Sequence, residues 1–221
     1  MNLVSTNNEA ARQQMVEQQV RAWDVLDLKV LETLKTVRRE AFVPAAFASV
    51  AFADAPTPLG HGQFMLPPKV DGRILQALEL KPTDAVLDIG SGSGFLAACL
   101  GQLAARVRSI ELHADLAEFA TRNLLAASAN NVVVETGDAT RLDESDRYDA
   151  IAVSASLPVY DERFERALKV GGRLFVVVGQ APVMEAWRVT KTGAGTFVRT
   201  SLFETSIEPL VNATRPSPFV F

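Results

Sequence analysis

The chain has 221 residues, 48% of them apolar and 22% charged, an ordinary balance for a globular protein in water. Its net charge of -4 and pI of about 5.3 supply no basic footprint for nucleic acid. One cysteine, Cys99, excludes an internal disulfide, no apolar run reaches the ~18 residues of a membrane span, and the first nine residues do not read as a secretory signal, so a cytoplasmic location is expected.

A chain of this size buries roughly 70% of its unfolded surface and needs no metal or disulfide for stability. One domain over residues 1–221 is expected, with a helical extension and active-site loop in 1–68 and an α/β core in 69–221. The extension comes first. Met15, Val16, Val20 and Trp23 recur at helical spacing, as do Leu28, Leu31, Leu34 and Val37, and Asp27 is placed to cap the second run. Residues 53–68 carry Pro56, Pro58, Gly60, Gly62, Pro67 and Pro68. That excludes a regular helix or a central strand and predicts a long functional loop. His61 lies in it, a residue type that titrates near neutrality.

From Lys69 onward helix and strand alternate. Helices are predicted at 70–80, 95–103, 114–127 and 161–168, and strands at 85–89, 107–110, 131–135, 148–154 and 173–178. Cys99 falls within the second of these helices among small apolar residues and reads as a packing residue. The 148–154 strand is nearly all apolar, as expected where both faces are covered. This βαβα order predicts a parallel sheet with helices on both sides. Residues 186–191 and 197–204 flank Thr192-Gly193-Ala194-Gly195 and predict an antiparallel hairpin at one sheet edge.

The chemistry-bearing motif is Val86-Leu87-Asp88-Ile89-Gly90-Ser91-Gly92-Ser93-Gly94-Phe95. An apolar strand enters a glycine turn at the carboxyl edge of the sheet, where open α/β sheets bind ligands. Glycine lets ligand and backbone approach closely, and the next helix presents free N–H groups. The Gly-x-Gly-x-Gly spacing is neither the dinucleotide fingerprint nor a triphosphate loop. Asp88 would repel a pyrophosphate but suits a cofactor bearing an ammonium or sulfonium group; it also suits hydrogen bonding to the turn itself. Glu111, ending the second strand, is placed to accept both ribose hydroxyls or to cap a helix start, and Leu112 to cover an adenine face. Asp138 and Ala139 follow the third strand, where Asp138 can accept from an adenine amino group or serve as a solvated turn residue. Gly90, Ser91, Gly92 and Ser93 complete this set, which fits adenosine with a cationic tail.

Further segments surround this set. They are Met15-Val16-Glu17-Gln18-Gln19-Val20-Arg21, Val37-Arg38-Arg39-Glu40-Ala41-Phe42-Val43-Pro44 and Pro58-Leu59-Gly60-His61-Gly62-Gln63, and later Lys169-Val170-Gly171-Gly172-Arg173-Leu174 and Ile207-Glu208-Pro209-Leu210. Over nearly its whole length the chain resembles the protein-L-isoaspartate (D-aspartate) O-methyltransferases. The resemblance implies a Rossmann-like, seven-stranded methyltransferase fold and S-adenosyl-L-methionine as cofactor, leaving S-adenosyl-L-homocysteine. It implies isoaspartyl peptides or damaged proteins as acceptors and protein repair as the outcome; Ile207–Leu210 is similar to the family's late strand. An acceptor carboxylate with a pKa near ~4 needs no general base, so no catalytic side chain is assigned.

The chain departs from the family in one loop. Where the family runs Gly-x-Gln-Thr-Ile-Ser-x-Pro, this chain has Gly62-Gln63-Phe64-Met65-Leu66-Pro67-Pro68. Phe64 and Leu66 replace two hydroxyls in the expected substrate loop, Gly62 to Leu66, and a site that loses a polar partner loses selectivity for polar substrates. Three readings stay open: a carboxyl methyltransferase for isoaspartyl protein, the same fold acting on another carboxylate or a small molecule, and a non-catalytic S-adenosylmethionine-binding protein. No metal, nucleic-acid or membrane partner is expected, and a monomer is.

Overall fold

A computed structural model of the chain describes residues 3–216. Helix α1 (Leu3–Met15) runs on through a wide turn at Val16–Val20 and a tight one at Arg21–Trp23. Asp24 ends it by taking a left-handed φ of 59°. Helix α2 (Leu28–Thr36) starts on Asp27, whose carboxylate accepts from the Lys29 N–H at 2.8 Å, the expected cap. Its buried stripe is Val30, Leu31 and Leu34. Leu28 is 79% exposed, and Val37 has left the helix with ψ 115°. A spacing of three drifts about 60° per step around a 3.6-residue helix, so a run of four cannot stay on one face.

The core follows the predicted order. It comprises α3 (Pro68–Leu78), β3 (Ala85–Ile89), α4 (Phe95–Leu103), β4 (Arg106–Glu111), α5 (Ala114–Ala126) and β5 (Val132–Thr136). Then come β6 (Tyr148–Leu157), α6 (Glu162–Arg166), β7 (Leu168–Gln180), β8 (Val183–Gly193) and β9 (Thr196–Glu204). They form one seven-stranded sheet in the order β5-β4-β3-β6-β7-β8-β9. The first five strands are parallel, and β8 and β9 return antiparallel at one edge. The predicted helix at 161–168 is shorter: Asp161 caps it, and Leu168 already pairs with Tyr148 in the sheet.

Successive residues of β3 point to opposite faces. Val86 joins a core with Ile74, Leu78, Phe42, Phe95 and Phe175; Leu87 joins the other with Ile151, Phe164, Leu174 and Val176. The N-terminal helices cover the first face. A Cβ at Gly72 in α3 would lie 2.7 Å from Val20 Cγ1, so only glycine lets these elements pack so closely. Truncating fully buried Ile74 to alanine removes about 2–5 kcal/mol on the scale of such deletions.

Three local features depart from the sequence reading. Residues 53–68 are not a plain loop, because they fold into a two-stranded antiparallel hairpin, β1 (Thr57–Gly60) and β2 (Gln63–Met65), apart from the main sheet. Gly60, His61 and Gly62 make its turn with φ of 105°, 53° and 69°. Strand β6 outruns its predicted end and carries a bulge: Ala152 pairs with Phe175 but Ser156 with Val177. Three residues of β6 thus face one of β7. The late segment is not a strand either; Pro209 makes a single parallel bridge to Ser156.

Candidate active site

The sheet reverses its order between β3 and β6, and open α/β sheets place their ligand crevice at such a switch point. A cleft of about 580 Å³ opens there, over the carboxyl ends of β3, β4 and β6 and the turn after β5. Its floor is the glycine turn. Gly90, Gly92 and Gly94 have φ of 91°, 52° and 85°, a region side chains avoid. A Cβ on Gly90 would lie 2.7 Å from the Ser154 hydroxyl, and one on Gly94 3.1 Å from the Ala120 carbonyl. The Ser154 Oγ stands 2.8 Å from the Ile89 carbonyl and 2.9 Å from that of Gly90, so the β6 bulge locks onto the turn.

The predicted residues divide into those that face the cleft and those beneath it. Gly90, Gly92, Glu111, Leu112, Asp138 and Ala139 line it. Glu111 is 5% exposed; its Oε2 accepts from the Gly92 N–H at 2.9 Å and its Oε1 from the His113 N–H at 3.1 Å. These bonds fix the carboxylate and leave lone pairs for a ligand. Asp138 Oδ1 accepts from the N–H and hydroxyl of Thr140, and Oδ2 from Asn212. Partial burial pushes its carboxyl up, but these donors and Arg141 hold it below the usual range.

Asp88 lies beneath the floor and does not line the cleft. It is fully buried, with Oδ2 accepting from the Ser109 hydroxyl at 2.6 Å and Oδ1 without a partner. Burial pushes its carboxyl up to about 7, against the Ser109 hydrogen bond. Ser91 continues this chain, its Oγ 2.6 Å from that of Ser109, while the Ser93 hydroxyl accepts from the Phe95 N–H at the helix start.

The β1–β2 hairpin roofs the cleft with Leu59, Gln63 and Phe64. Its tip is tied to α5: His61 Nε2 lies 2.8 Å from Asp115 Oδ2 and its ring stacks on His113 at 4.1 Å. His61 is thus a clamp at the cleft rim. A second cleft, of about 1040 Å³, shares Gln63, Phe64, Ser154 and Ala155 with the first and continues past Leu66 to Trp23 and Ile207. Lys69 is the one basic side chain lining it, paired with Asp54 at 2.7 Å and lying 4.1 Å over the Trp23 ring. Met65 is buried on the inner side of the hairpin, and Gly62 makes its turn. Phe64, 39% exposed, therefore stands where the two clefts meet, and Leu66 lines the second of them.

Several of these residues were not marked as site residues in the sequence. Leu210 and Val211 reach the first cleft because Ser156 exchanges backbone hydrogen bonds with Glu208 and Leu210. Ser154 left one signal, a hydroxyl ending an apolar strand. Arg39 is fully buried and holds the end of the hairpin from below, donating to the Leu66 carbonyl at 2.6 Å, the Ala51 carbonyl at 3.0 Å and Asp71 Oδ2 at 2.8 Å. Among the described residues no His, Cys, Asp and Glu cluster could hold a metal, and no helix is long and apolar enough to cross a membrane.

An open sheet of this order, with a cleft on a Gly-x-Gly-x-Gly turn at its switch point, is the Rossmann-like fold of the S-adenosylmethionine-dependent methyltransferases. The chain belongs to the protein-L-isoaspartate(D-aspartate) O-methyltransferase family, whose profile matches residues 10–215. It is 39% identical to a protein-L-isoaspartate O-methyltransferase of Methylorubrum populi over 92% of this chain and 96% of that one. A Koribacter versatilis protein of the same name is 36% identical over 94% of this chain and 93% of its own. In fold it is similar to a Plasmodium falciparum protein assigned to this activity and solved with S-adenosyl-L-homocysteine. That match has a TM-score of 0.78 at 21% identity over 90% of this chain and 97% of the other.

Proposed function

We propose that this chain methylates the side-chain carboxylate of isoaspartyl residues in damaged proteins, with S-adenosyl-L-methionine as donor, and that residues 1–221 act as one methyltransferase domain. The observation that carries the reading is the meeting of two clefts at Gln63, Phe64 and Ser154, one with the polar groups adenosine needs and one open to a larger acceptor. The fit to the donor rests on the residues themselves. Glu111 presents a fixed carboxylate for the ribose hydroxyls, Ile110, Leu112 and Ala139 give an apolar slot for adenine, and the glycine turn leaves room no Cβ would allow. Asp138 takes the edge of that slot. Asp88 acts from below, holding Ser109 and Ser91 and so the shape of the turn.

When bound, S-adenosylmethionine supplies an electrophilic methyl group. The chain orients the partners and keeps water out. The hairpin, pinned by His61 to Asp115, roofs the junction, and Phe64 and Leu66 make it apolar. Opposite charges attract more strongly in such a dry place, and alignment lowers the entropic barrier. Lys69, held in place by Asp54, is the cation that meets an acceptor carboxylate in the second cleft, whose lining also carries Glu204 and Glu208. An ionised carboxylate needs no proton removed, so no side chain is asked to act as base. The one buried cysteine suits a cytoplasmic setting.

The test is transfer of labelled methyl groups to an aged protein, read as base-labile ester. Base-labile label that disappears when isoaspartyl sites are first removed supports the reading; label only in small molecules overturns it. Lys69→Met should raise KM for an acidic acceptor several-fold while leaving S-adenosylhomocysteine affinity unchanged. The hydroxyl-free pair Phe64 and Leu66 favours one second reading, a more apolar carboxylate or small molecule as acceptor. That reading predicts transfer to such acceptors and none to isoaspartyl peptide.

A further inference from the structure

A third cavity, of about 290 Å³, continues the donor cleft beneath the hairpin. It shares Leu59, Phe64, Gly90, Gly92 and Ser154 with that cleft and ends against Ser91, Ser93, Leu66 and Asp71. Among the described residues Asp71 is the only ionisable side chain on its wall. It comes from α3 and is 2% exposed. Its Oδ2 accepts from Arg39 Nη1, while its Oδ1 has no hydrogen-bond partner among the described residues. Arg39 cannot turn to meet a ligand there. Its Nε and Nη2 donate to the Ala51 and Leu66 carbonyls, and its guanidinium lies 4.9 Å over the Phe95 ring.

We propose that Asp71 Oδ1 binds the α-ammonium group of the donor's amino-acid tail, so that one carboxylate joins the cofactor site to the Arg39 and Leu66 anchor of the acceptor loop. This rests on the S-adenosylmethionine reading of the first cleft. The chemistry of the wall selects the charge. The three serine hydroxyls and backbone groups can meet either end of a zwitterionic tail, but the carboxylate repels the tail's own carboxylate and attracts its ammonium. Burial pushes the Asp71 carboxyl up to about 7 even though Arg39 opposes the shift, and a cation at Oδ1 favours its ionised form. The sequence reading gave the cation-binding role to Asp88, which lies beneath the floor with Oδ2 on Ser109. Asp71 is the acidic group with access to the space.

The experiment compares three ligands by calorimetry: S-adenosylhomocysteine, its desamino analogue lacking only the ammonium, and 5′-methylthioadenosine lacking the tail. Asp71→Asn should weaken S-adenosylhomocysteine at least tenfold, as expected for loss of a charge-assisted hydrogen bond, and leave the other two within about twofold. Equal loss for all three ligands, or no loss for any, overturns the proposal while leaving the donor reading intact. Failure of the wild-type protein to bind S-adenosylhomocysteine overturns both. If Asp71→Asn does not fold, crystals of the wild-type protein with S-adenosylhomocysteine decide. The tail nitrogen should stand about 3 Å from Asp71 Oδ1, and a tail carboxylate there, or a nitrogen held elsewhere, contradicts it.

Discussion

The two clefts are built by different means. The donor cleft is mostly backbone: strand ends, a turn with three left-handed glycines, and a glutamate held by two N–H groups. The acceptor cleft is mostly side chains, brought together from the end of α1, the β1–β2 hairpin, α3 and the segment after β9. Backbone geometry tolerates little change, because a new Cβ or a lost turn alters the whole cleft. A side-chain wall changes with each residue while the frame stays. Phe64 and Leu66 change the wall, and the donor floor is untouched by them.

The largest effect that would sharpen this contrast belongs to the floor. Gly90→Ala forces a side chain into φ 91° and against Ser154. It should lower stability by about 1–3 kcal/mol and abolish measurable S-adenosylhomocysteine binding, read by thermal denaturation and calorimetry. Glu111→Ala should weaken that ligand on the order of 1–3 kcal/mol, with the isoaspartyl KM little changed. An unchanged affinity would mean the ribose sits elsewhere. On the acceptor side, Leu66→Ser should raise kcat/KM for an isoaspartyl peptide several-fold and change donor affinity less, through the cavity wall that Leu66 shares with Asp71. If donor affinity moved as much as activity, the two halves would not be separable.

The smallest effect is one of pH. Asp88 in the folded chain titrates near 7, above its value of 3.8 when exposed. The folded state therefore holds this proton more tightly. The stability it confers is full below about pH 4 and is lost as pH rises through 7. Cofactor-free protein should lose on the order of 1 kcal/mol between pH 6 and 7.5 by urea unfolding. Asp71 acts in the same sense, so Asp88→Asn should flatten the slope without removing it. A slope identical to wild type would show that Asp88 is not raised.

The same contrast explains what could be read from the sequence. The parallel sheet, hairpin edge and glycine turn follow from local patterns: apolar runs, periodicity and turn residues. Glu111 was visible because it ends a strand and Asp138 because it follows one. The bulge at Ser154 was not, since register is decided by β7 and not by β6 alone. The hairpin at Thr57–Met65 was hidden by prolines and glycines that equally suit a loop. Arg39 and Asp71 are 32 residues apart, and only the packing of α3 on the N-terminal segment joins them. Leu210 and Val211 enter the cleft through a single bridge to Ser156, which leaves no periodic signal.

The central claim is that a donor cleft of family type here serves an isoaspartyl carboxylate past an apolar gate. The most direct measurement is kcat/KM for an isoaspartyl peptide beside its normal aspartyl twin, with S-adenosylmethionine saturating. The account predicts transfer to the first and none above background to the second. Equal transfer to both, or transfer to neither by protein that binds S-adenosylhomocysteine, would contradict it.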